Sequence, residues 1–236
     1  MTTHTAEIPP FIVTRTRVVA FLFIILIPVS VFGMIYVPSA LIVSGDAATT
    51  ARNILASETL FRLGIVSSLL GQLVDTMWAL VLYQLLKPVN KNMAVLMVIF
   101  LLLGVPIAML NELNQFAVLL LSSGADYLRV FTPGQLHALE SLFLNLHDNG
   151  IKIAGLFWGI WLLPYGYLVF KSGFLPRFLG VLLIIGCFGY LIQSFVAFLA
   201  PNLVMEIAWL PVLTSWGELL LPFPKSTTIV NNPQHT

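Results

Sequence analysis

Long apolar stretches separated by short polar segments dominate the pattern along this chain. About 20 apolar helical residues cross a bilayer core of roughly 30 Å. Six stretches are long enough: 18–37, 63–86, 93–121, 151–170, 178–199 and 203–223. The pattern predicts an all-α integral membrane protein built as a bundle of six transmembrane helices. A short segment, 1–17, precedes this domain of 18–223, and a polar tail, 224–236, follows it and is expected to be disordered.

The links between the stretches differ in length and content. KPVNKN, after the second stretch, and KSGFLPR, after the fourth, are short and rich in turn residues, which predicts two antiparallel hairpins. The other links are longer and carry helix-start signals. Asp46 is suited to cap a short helix, and Thr132-Pro133-Gly134-Gln135 has the pattern of a capping box. We expect short interfacial helices on the outer side of the bundle.

Lysine and arginine alternate between the two sets of links, which indicates orientation. One set holds Arg15, Arg17, Lys87, Lys91, Lys171, Arg177 and Lys225, and the other holds Arg52, Arg62 and Arg129. Basic residues concentrate in cytoplasmic loops. The alternation therefore predicts that both termini are cytoplasmic, which agrees with an even number of spans.

Composition excludes several classes of protein. The chain is 58% hydrophobic and 9% charged, against about 25% charged in a soluble domain, so lipid rather than water must cover most of its surface. Its single cysteine, Cys187, forms no internal disulfide and offers no thiolate metal site. A net charge of +1 provides no basic surface for nucleic acid.

Polar residues at membrane depth are the candidates for function. Asp75 lies near the middle of the second span and shares a helix face with Gln72. A carboxylate at that depth costs about 2.5–3.5 kcal/mol by insertion scales, so it usually faces the bundle and marks a functional site. The other members of the predicted polar cluster are Asn111, Glu112, Gln115, His147, Asp148, Lys152 and Gln193. Two interpretations of Asp75 remain open: a proton, cation or solute site in an outward-facing cavity, or a structural hydrogen bond between helices.

Metal and catalytic motifs do not stand out. The chain contains no HExxH, HxxxH or GxSxG pattern. His147 and Asp148 are adjacent, so on a helix their side chains point about 100° apart and do not both chelate one ion. We therefore expect no metal, no cofactor and no catalytic residue.

Two features of the fourth span concern its packing. Asn149-Gly150 has the composition of a turn or helix C-cap. This predicts an interfacial joint that ends or kinks the helix begun at Pro133, with Asp148 and Lys152 neutralising each other. Gly155 and Gly159 form a small-xxx-small step that lets another helix approach closely.

A family resemblance covers nearly the whole chain. The block GDAATTARNILASETLFRLGIVSSLLGQLVDTMWALVLYQLLKPVNKN, residues 45–92, resembles the bacterial six-helix membrane family called domain of unknown function 4386, and it is the most specific part of the likeness. The later stretches LFLNLHDNGIKIAGLFWGIWLLPYGYLVFKSGFLPRFLGVLLIIGCFGYLIQSF and GELLLP resemble the same family. The resemblance implies six transmembrane helices in a bacterial inner membrane and implies no activity.

Two classes of function are therefore open. In the first, the protein binds or transports a small solute, with or without protons, through the cluster around Asp75. In the second, it is a structural or accessory membrane protein whose polar residues join helices or bind a partner subunit. An enzyme acting on membrane lipid is less favoured than either.

Overall fold

The computed structural model describes residues 10–203, 206 and 207, and every regular element in that part of the chain is helical. The α-helices are α1 (Pro10–Val31), α2 (Val37–Leu41), α3 (Ala47–Ala56), α4 (Glu58–Leu86), α5 (Lys91–Leu121), α6 (Pro133–Ile160), α7 (Leu162–Lys171) and α8 (Arg177–Leu199). A π-helix, Phe32–Tyr36, joins α1 to α2, and 3-10 helices occupy Asp126–Val130 and Pro201–Leu203.

Five helical segments of the described chain are long and apolar enough to cross a membrane. They are Val18–Leu41, Glu58–Leu86, Lys91–Leu121, Pro133–Lys171 and Arg177–Leu199. Large apolar side chains remain exposed on them, including Ile24, Leu70, Leu110 and Phe188, and this surface requires lipid rather than water. The chain is therefore a multi-pass membrane protein.

The helix boundaries refine the predicted spans. Five of the six apolar stretches are helical, and α1 begins at Pro10, well before the predicted first span. The predicted sixth span, 203–223, lies outside the described residues apart from Leu203 and two turn residues, 206 and 207. The tail 224–236 lies wholly outside them.

The chain forms two compact units. Among the described residues, unit 1 comprises 10–23, 77–102 and 155–203 with residues 206 and 207, and unit 2 comprises Ile24–Thr76 and Leu103–Ala154. The long helices α4, α5 and α6 each contribute residues to both units.

The core of unit 1 contains three large aromatic side chains. The rings of Trp161 and Tyr165 stack with centroids 4.9 Å apart, and Trp78 meets both of them edge-on at 5.5 and 6.1 Å. All three residues are buried. Edge-on and stacked pairs of this kind add about 0.5–1.5 kcal/mol beyond the area they bury, so this cluster fixes α4 against α7 and against Trp161, the residue between α6 and α7.

Glycines allow the helices of unit 1 to approach closely. A Cβ on Gly159 would lie 2.8 Å from Tyr190 Cβ, and one on Gly155 would lie 3.3 Å from Ser194 Oγ. The predicted small-xxx-small contact is therefore confirmed, with α8 as the neighbouring helix. Gly166 and Gly180 form a second and tighter crossing between α7 and α8, where each Cβ would lie 2.6 Å from the other glycine's carbonyl oxygen.

Unit 2 has its own apolar core. Its buried members are Val37, Leu41, Ile54, Phe61, Ile65, Val118, Leu119 and Leu144. One interhelical hydrogen bond supports the packing of α1 on α4, because the Ser67 hydroxyl donates to the Val29 carbonyl oxygen at 2.8 Å. In a bilayer, apolar side chains contact lipid as favourably as they contact another helix, so interhelical hydrogen bonds of this kind help to hold helix pairs together.

Both predicted helix starts in unit 2 are confirmed. The Thr49 amide donates to Asp46 Oδ1 at 2.9 Å, so Asp46 caps α3. At the start of α6 the Thr132 amide donates to Gln135 Oε1 at 2.8 Å. The Gln135 amide in turn donates to Thr132 Oγ1 at 3.3 Å. This reciprocal pair is a capping box, and it fixes the first residue of the helix that carries His147.

Replacing Asp46 with alanine is expected to loosen α3 while leaving the rest of unit 2 folded. Hydrogen bonds from the Thr49 hydroxyl and amide lower the pKa of the Asp46 carboxyl below its ordinary value. The cap therefore stabilises the helix above the unfolded pKa, about 3.9, and its contribution is lost as the pH falls through the lower folded pKa. Hydrogen exchange of residues 47–56 should be faster in Asp46→Ala. The exposed Asp126, replaced with asparagine, is the matched control and should leave that exchange rate unchanged.

Candidate functional site

The buried face of α5 in unit 2 carries three neighbouring polar residues. Asn111, Glu112 and Gln115 are 8%, 4% and 6% exposed, although they lie in an otherwise apolar helix. Helical spacing places Asn111 and Gln115 one turn apart on that face, with Glu112 beside them. The helix that covers them is α6, which returns antiparallel to α5 after residues 122–132 and brings His147 opposite Glu112.

His147 lies between two carboxylates. Its Nε2 is 3.3 Å from Glu112 Oε1, and its Nδ1 is 3.9 Å from Asp148 Oδ1. The Glu112 side chain is 5% exposed, that of His147 14% and that of Asp148 70%. The three groups therefore run from the surface of unit 2 to its interior, with the imidazole as the middle member.

The far oxygen of Glu112 is an unusual feature of this cluster. Glu112 Oε2 is buried and has no hydrogen-bond partner among the described residues. A buried carboxylate oxygen without a donor is unfavourable, because it has lost water and gained nothing in return. It is consequently an available acceptor for a proton or a donor group.

Gln115 places a second polar group on the same imidazole nitrogen. Its side-chain nitrogen is 3.0 Å from His147 Nε2. His147 Nε2 donates to Glu112 when it carries a hydrogen and accepts from Gln115 when it does not. Turning the Gln115 amide by 180° brings its oxygen, an acceptor, to the place of its nitrogen, a donor. With the Gln115 oxygen turned toward it, an Nε2–H is shared between two acceptors. The cluster thus tolerates a protonated and a neutral imidazole with small rearrangements.

Asn111 attaches α5 to the backbone of α6 at the same level. Its side-chain nitrogen donates to the His147 carbonyl oxygen at 2.8 Å, and the Asn114 side chain donates to Asn111 Oδ1 at 2.9 Å. A Cβ on Gly150 would overlap the Asn111 amide group, with Nδ2 2.9 Å away. Gly150 therefore provides the space that Asn111 occupies.

This contact corrects the predicted joint at Asn149-Gly150. The helix neither ends nor turns there, since α6 continues from Pro133 to Ile160. The glycine is used for close approach rather than for a turn. Lys152 does not neutralise Asp148 either: its Nζ donates to Asn149 Oδ1 at 3.0 Å.

The surface around Asp148 is polar. Asn145 and Asn149 are exposed, lie one turn apart and are joined by a hydrogen bond from Asn149 Nδ2 to the Asn145 carbonyl oxygen at 3.0 Å. Lys152 extends the same stripe. Asp148 therefore lies beside side chains that water can solvate, whereas the neighbouring faces of the long helices are apolar.

Asp75 and Gln72 lie apart from this hydrogen-bonded group. Both are half-buried on α4 of unit 2, and Gln72 is the central residue of that 29-residue helix, about 21 Å from either end. Gln72 Oε1 is buried without a partner in the described chain. No hydrogen bond or ion pair of Asp75 occurs among the described residues. Gln193 belongs to unit 1 and is half-buried on α8.

The structure thus assembles five of the nine predicted site residues. Asn111, Glu112, Gln115, His147 and Asp148 form one continuous group on α5 and α6. Glu112 and Asp148 approach opposite nitrogens of one ring, so they do not converge on a single point as metal ligands would. The group instead has one exposed carboxylate and one buried carboxylate on either side of a single imidazole.

Glu140 is a buried carboxylate that the sequence reasoning missed. It is 4% exposed, and the Ser122 hydroxyl lies 2.8 Å from its Oε1. The spacing that indicates its burial is present in the sequence. Leu136 and Leu144 lie one helical turn before and after it, so Glu140 shares their apolar face.

Comparison with known proteins gives a family and a distant relative. The family model described as "Domain of unknown function (DUF4386)" matches residues 18–223. An uncharacterized protein of the archaeon Archaeoglobus fulgidus is 31% identical over 161 residues, which cover 67% of this chain and 79% of that protein. No solved structure matches the chain.

Proposed function

This chain belongs to the domain of unknown function 4386 family, and from that premise we propose that it is a proton-linked membrane protein that binds or transports a small solute. In this proposal Asp148, His147 and Glu112 form a relay that carries a proton between the surface and the interior of unit 2. The proposal includes the six-span topology in a plasma membrane with both termini cytoplasmic, which places the relay toward the outer face.

The observation that carries the proposal is the buried Glu112 linked through one imidazole to an exposed carboxylate. A purely structural pair would satisfy its polar atoms, because unsatisfied buried groups are costly. Here Glu112 Oε2 has no partner in the described chain, while Asp148 on the other side of the ring is 70% exposed. Histidine is the side chain whose protonation changes most readily near neutral pH.

The proposed transfer step balances without any other reactant. A proton arrives at Asp148 from water and forms an N–H bond at His147 Nδ1. The imidazolium then releases its other proton from Nε2 to Glu112, so the ring returns to a neutral tautomer and Glu112 carries the proton. The starting state, a neutral imidazole with its hydrogen on Nε2, is restored by rotation of the ring or by transfer of a proton from Glu112 back to Asp148.

Asp75 is the further member of the proposed route. A carboxylate half-buried near the centre of α4, with Gln72 on the same face, is the kind of residue that marks ion and substrate pathways in membranes. We propose that the proton or solute that passes Glu112 meets Asp75 next.

The alternative is a structural or accessory protein, and a specific observation favours it. Asn111 binds the His147 carbonyl oxygen and fills the space left by Gly150, so part of the cluster joins α5 to α6. In this alternative the relay residues only hold the two helices together, and proton movement plays no part.

Proton flux into vesicles separates the two functions. The purified full-length chain is reconstituted into liposomes containing a pH-sensitive dye, and a pH step is applied across the membrane. We expect flux above that of empty vesicles, reduced at least tenfold in His147→Gln and in Asp75→Asn. Glu58→Gln is the matched control, because Glu58 is exposed and paired with Arg62 on the surface of α4, and it should leave the flux unchanged.

Folding is measured beside flux in every variant. Wild-type vesicles that leak no faster than empty ones, or a folded His147→Gln with wild-type flux, would overturn the relay. Loss of folded protein in the His147 variant, combined with normal flux in the shape-preserving Glu112→Gln, would favour the structural alternative.

A further inference from the structure

A cavity of about 300 Å³ lies in unit 2, away from the relay. Residues of α3, of the 3-10 segment Asp126–Val130 and of the first two turns of α6 line it. Its volume is at the lower end of the range for small-molecule sites. Most of its wall is apolar and includes Leu55, Leu121 and Leu128.

Glu140 is the one acidic residue among those that line this cavity. The residue is 4% exposed, and its Oε2 is buried without a hydrogen-bond partner in the described chain. Its Oε1 is 2.8 Å from the Ser122 hydroxyl, which also lies 3.1 Å from the Val118 carbonyl oxygen. A hydroxyl has one hydrogen to donate, so Glu140 receives at most one shared hydrogen bond.

Two arginines line the same cavity, yet both bind elsewhere. Arg129 Nη2 is 2.9 Å from Asp126 Oδ1, and Arg52 Nη2 donates to Thr49 Oγ1 at 2.8 Å. No cation forms an ion pair with Glu140 among the described residues. Arg52, Arg129 and His137 line the cavity, but none of them forms an ion pair with Glu140. A buried carboxylate without such a partner is costly, so a cationic ligand would stabilise it.

We propose that this cavity binds a primary ammonium group, with the ammonium donating to Glu140 and its carbon chain against the apolar wall. A hard metal ion fits less well, because Ca²⁺ and Mg²⁺ need six or more oxygen ligands and Glu140 is the one carboxylate in the wall. A quaternary ammonium has no N–H to donate to the unpaired oxygen. The apolar wall favours an organic cation over a hydrated one.

The rim of the cavity indicates what lies next to the ammonium. Arg52 and Arg129 are both exposed and line the cavity. Arginine is well suited to a phosphate, so an ammonium separated from a phosphate by a short linker satisfies both the interior and the rim. The ethanolamine headgroup of a phospholipid has this chemistry, and a free alkylamine satisfies the interior alone.

Binding is tested first with probes that share one chain length. The thermal unfolding midpoint of the purified full-length protein in detergent is measured with hexylammonium, hexyltrimethylammonium and hexanol. We expect hexylammonium to raise the midpoint at concentrations at least tenfold lower than the other two. Equal potency of the three probes would overturn the proposal, since it would mean that the alkyl chain alone is recognised.

The substitution Glu140→Gln tests whether hexylammonium binds at the Glu140 carboxylate. In Glu140→Gln the side chain keeps its size but loses its charge, and hexylammonium should be needed at least at tenfold higher concentration. Glu58→Gln is the matched control and should bind like the wild type. An unchanged response in a folded Glu140→Gln would overturn the site, and the three-probe comparison stands on the wild type if that variant does not fold.

A second experiment distinguishes a phospholipid headgroup from a soluble amine as the ligand that carries the ammonium group. The protein is placed in nanodiscs of phosphatidylcholine with or without phosphatidylethanolamine, and hexylammonium binding is measured again. Weaker binding in the presence of phosphatidylethanolamine identifies the lipid headgroup as the occupant, because the two compete. Equal binding in both nanodiscs assigns the site to a soluble amine.

Discussion

Gly180→Ala is expected to lower the free energy of unfolding by about 1–3 kcal/mol, the range for overpacking a well-packed contact. The added Cβ would lie 2.6 Å from the Gly166 carbonyl oxygen and 2.7 Å from the Phe170 amide nitrogen, both backbone atoms of α7. Backbone atoms in the middle of a helix do not move aside as the end of a flexible side chain does. The two helices must separate, and the buried side chains beside them lose contacts.

Helix propensity makes this prediction sharper. Alanine favours a helix over glycine by about 1 kcal/mol, so the substitution would stabilise α8 if packing played no part. Gly134→Ala is the matched control. Gly134 is the second residue of α6, and a Cβ there meets no atom within 4 Å. Unfolding titrations in mixed detergent and SDS micelles should show a clear loss for Gly180→Ala and no loss for Gly134→Ala. Equal stability of the two variants would show that the α7–α8 crossing is not tightly packed.

Local signals explain why much of the fold was predictable from the sequence. The length of the apolar stretches predicted the five described spans, and most of their ends lie within a few residues of the predicted ones. The caps at Asp46 and Thr132 form hydrogen bonds to residues three positions away. Interactions of such short range depend on little except the neighbouring sequence. The same reasoning identified Gly155 and Gly159 as a packing step, since two glycines one turn apart leave a groove whatever fills it.

Long-range contacts explain the errors. Asn149-Gly150 has the composition of a helix end, but Asn111, 39 positions earlier, fills the space beside Gly150 within a continuous helix. Gly166 and Gly180 flank a turn, and only the register of the α7–α8 hairpin reveals that they meet. A rule that reads neighbouring residues cannot distinguish a glycine that ends a helix from one that admits another side chain.

The residues of the candidate site were also partly predictable from local sequence, whereas their pairing was not. Glu112 and His147 were both recognised as polar residues in apolar surroundings, but their pairing depends on how α6 returns along α5. Asp75 was the leading candidate because of its depth, yet the hydrogen-bonded group of the described chain is centred on His147. Glu140 was not among the predicted site residues, although its leucine neighbours at one helical turn indicate burial. Position along a span predicts which residues are unusual, and packing decides which of them act together.

His147→Leu is expected to destabilise the protein more than the removal of both members of the Glu112–His147 pair. Taking away one partner of a buried charged pair leaves the other uncompensated, which costs about 3–5 kcal/mol. In His147→Leu that remaining group is Glu112, whose side chain is 5% exposed and whose Oε2 has no partner in the described chain. Gln115 still lies nearby, but an amide donor offsets only part of a buried negative charge.

A double-mutant cycle measures this asymmetry. Glu112→Gln alone should cost about 1 kcal/mol, since the amide retains one hydrogen bond to the imidazole. The double variant, which carries both Glu112→Gln and His147→Leu, should be more stable than His147→Leu alone. Its destabilisation should differ from the sum of the two single effects by about 1–3 kcal/mol. Unfolding titrations of the four proteins give all the terms of the cycle. Additive effects would show that Glu112 and His147 do not interact in the folded protein, and they would remove the middle step of the proposed relay.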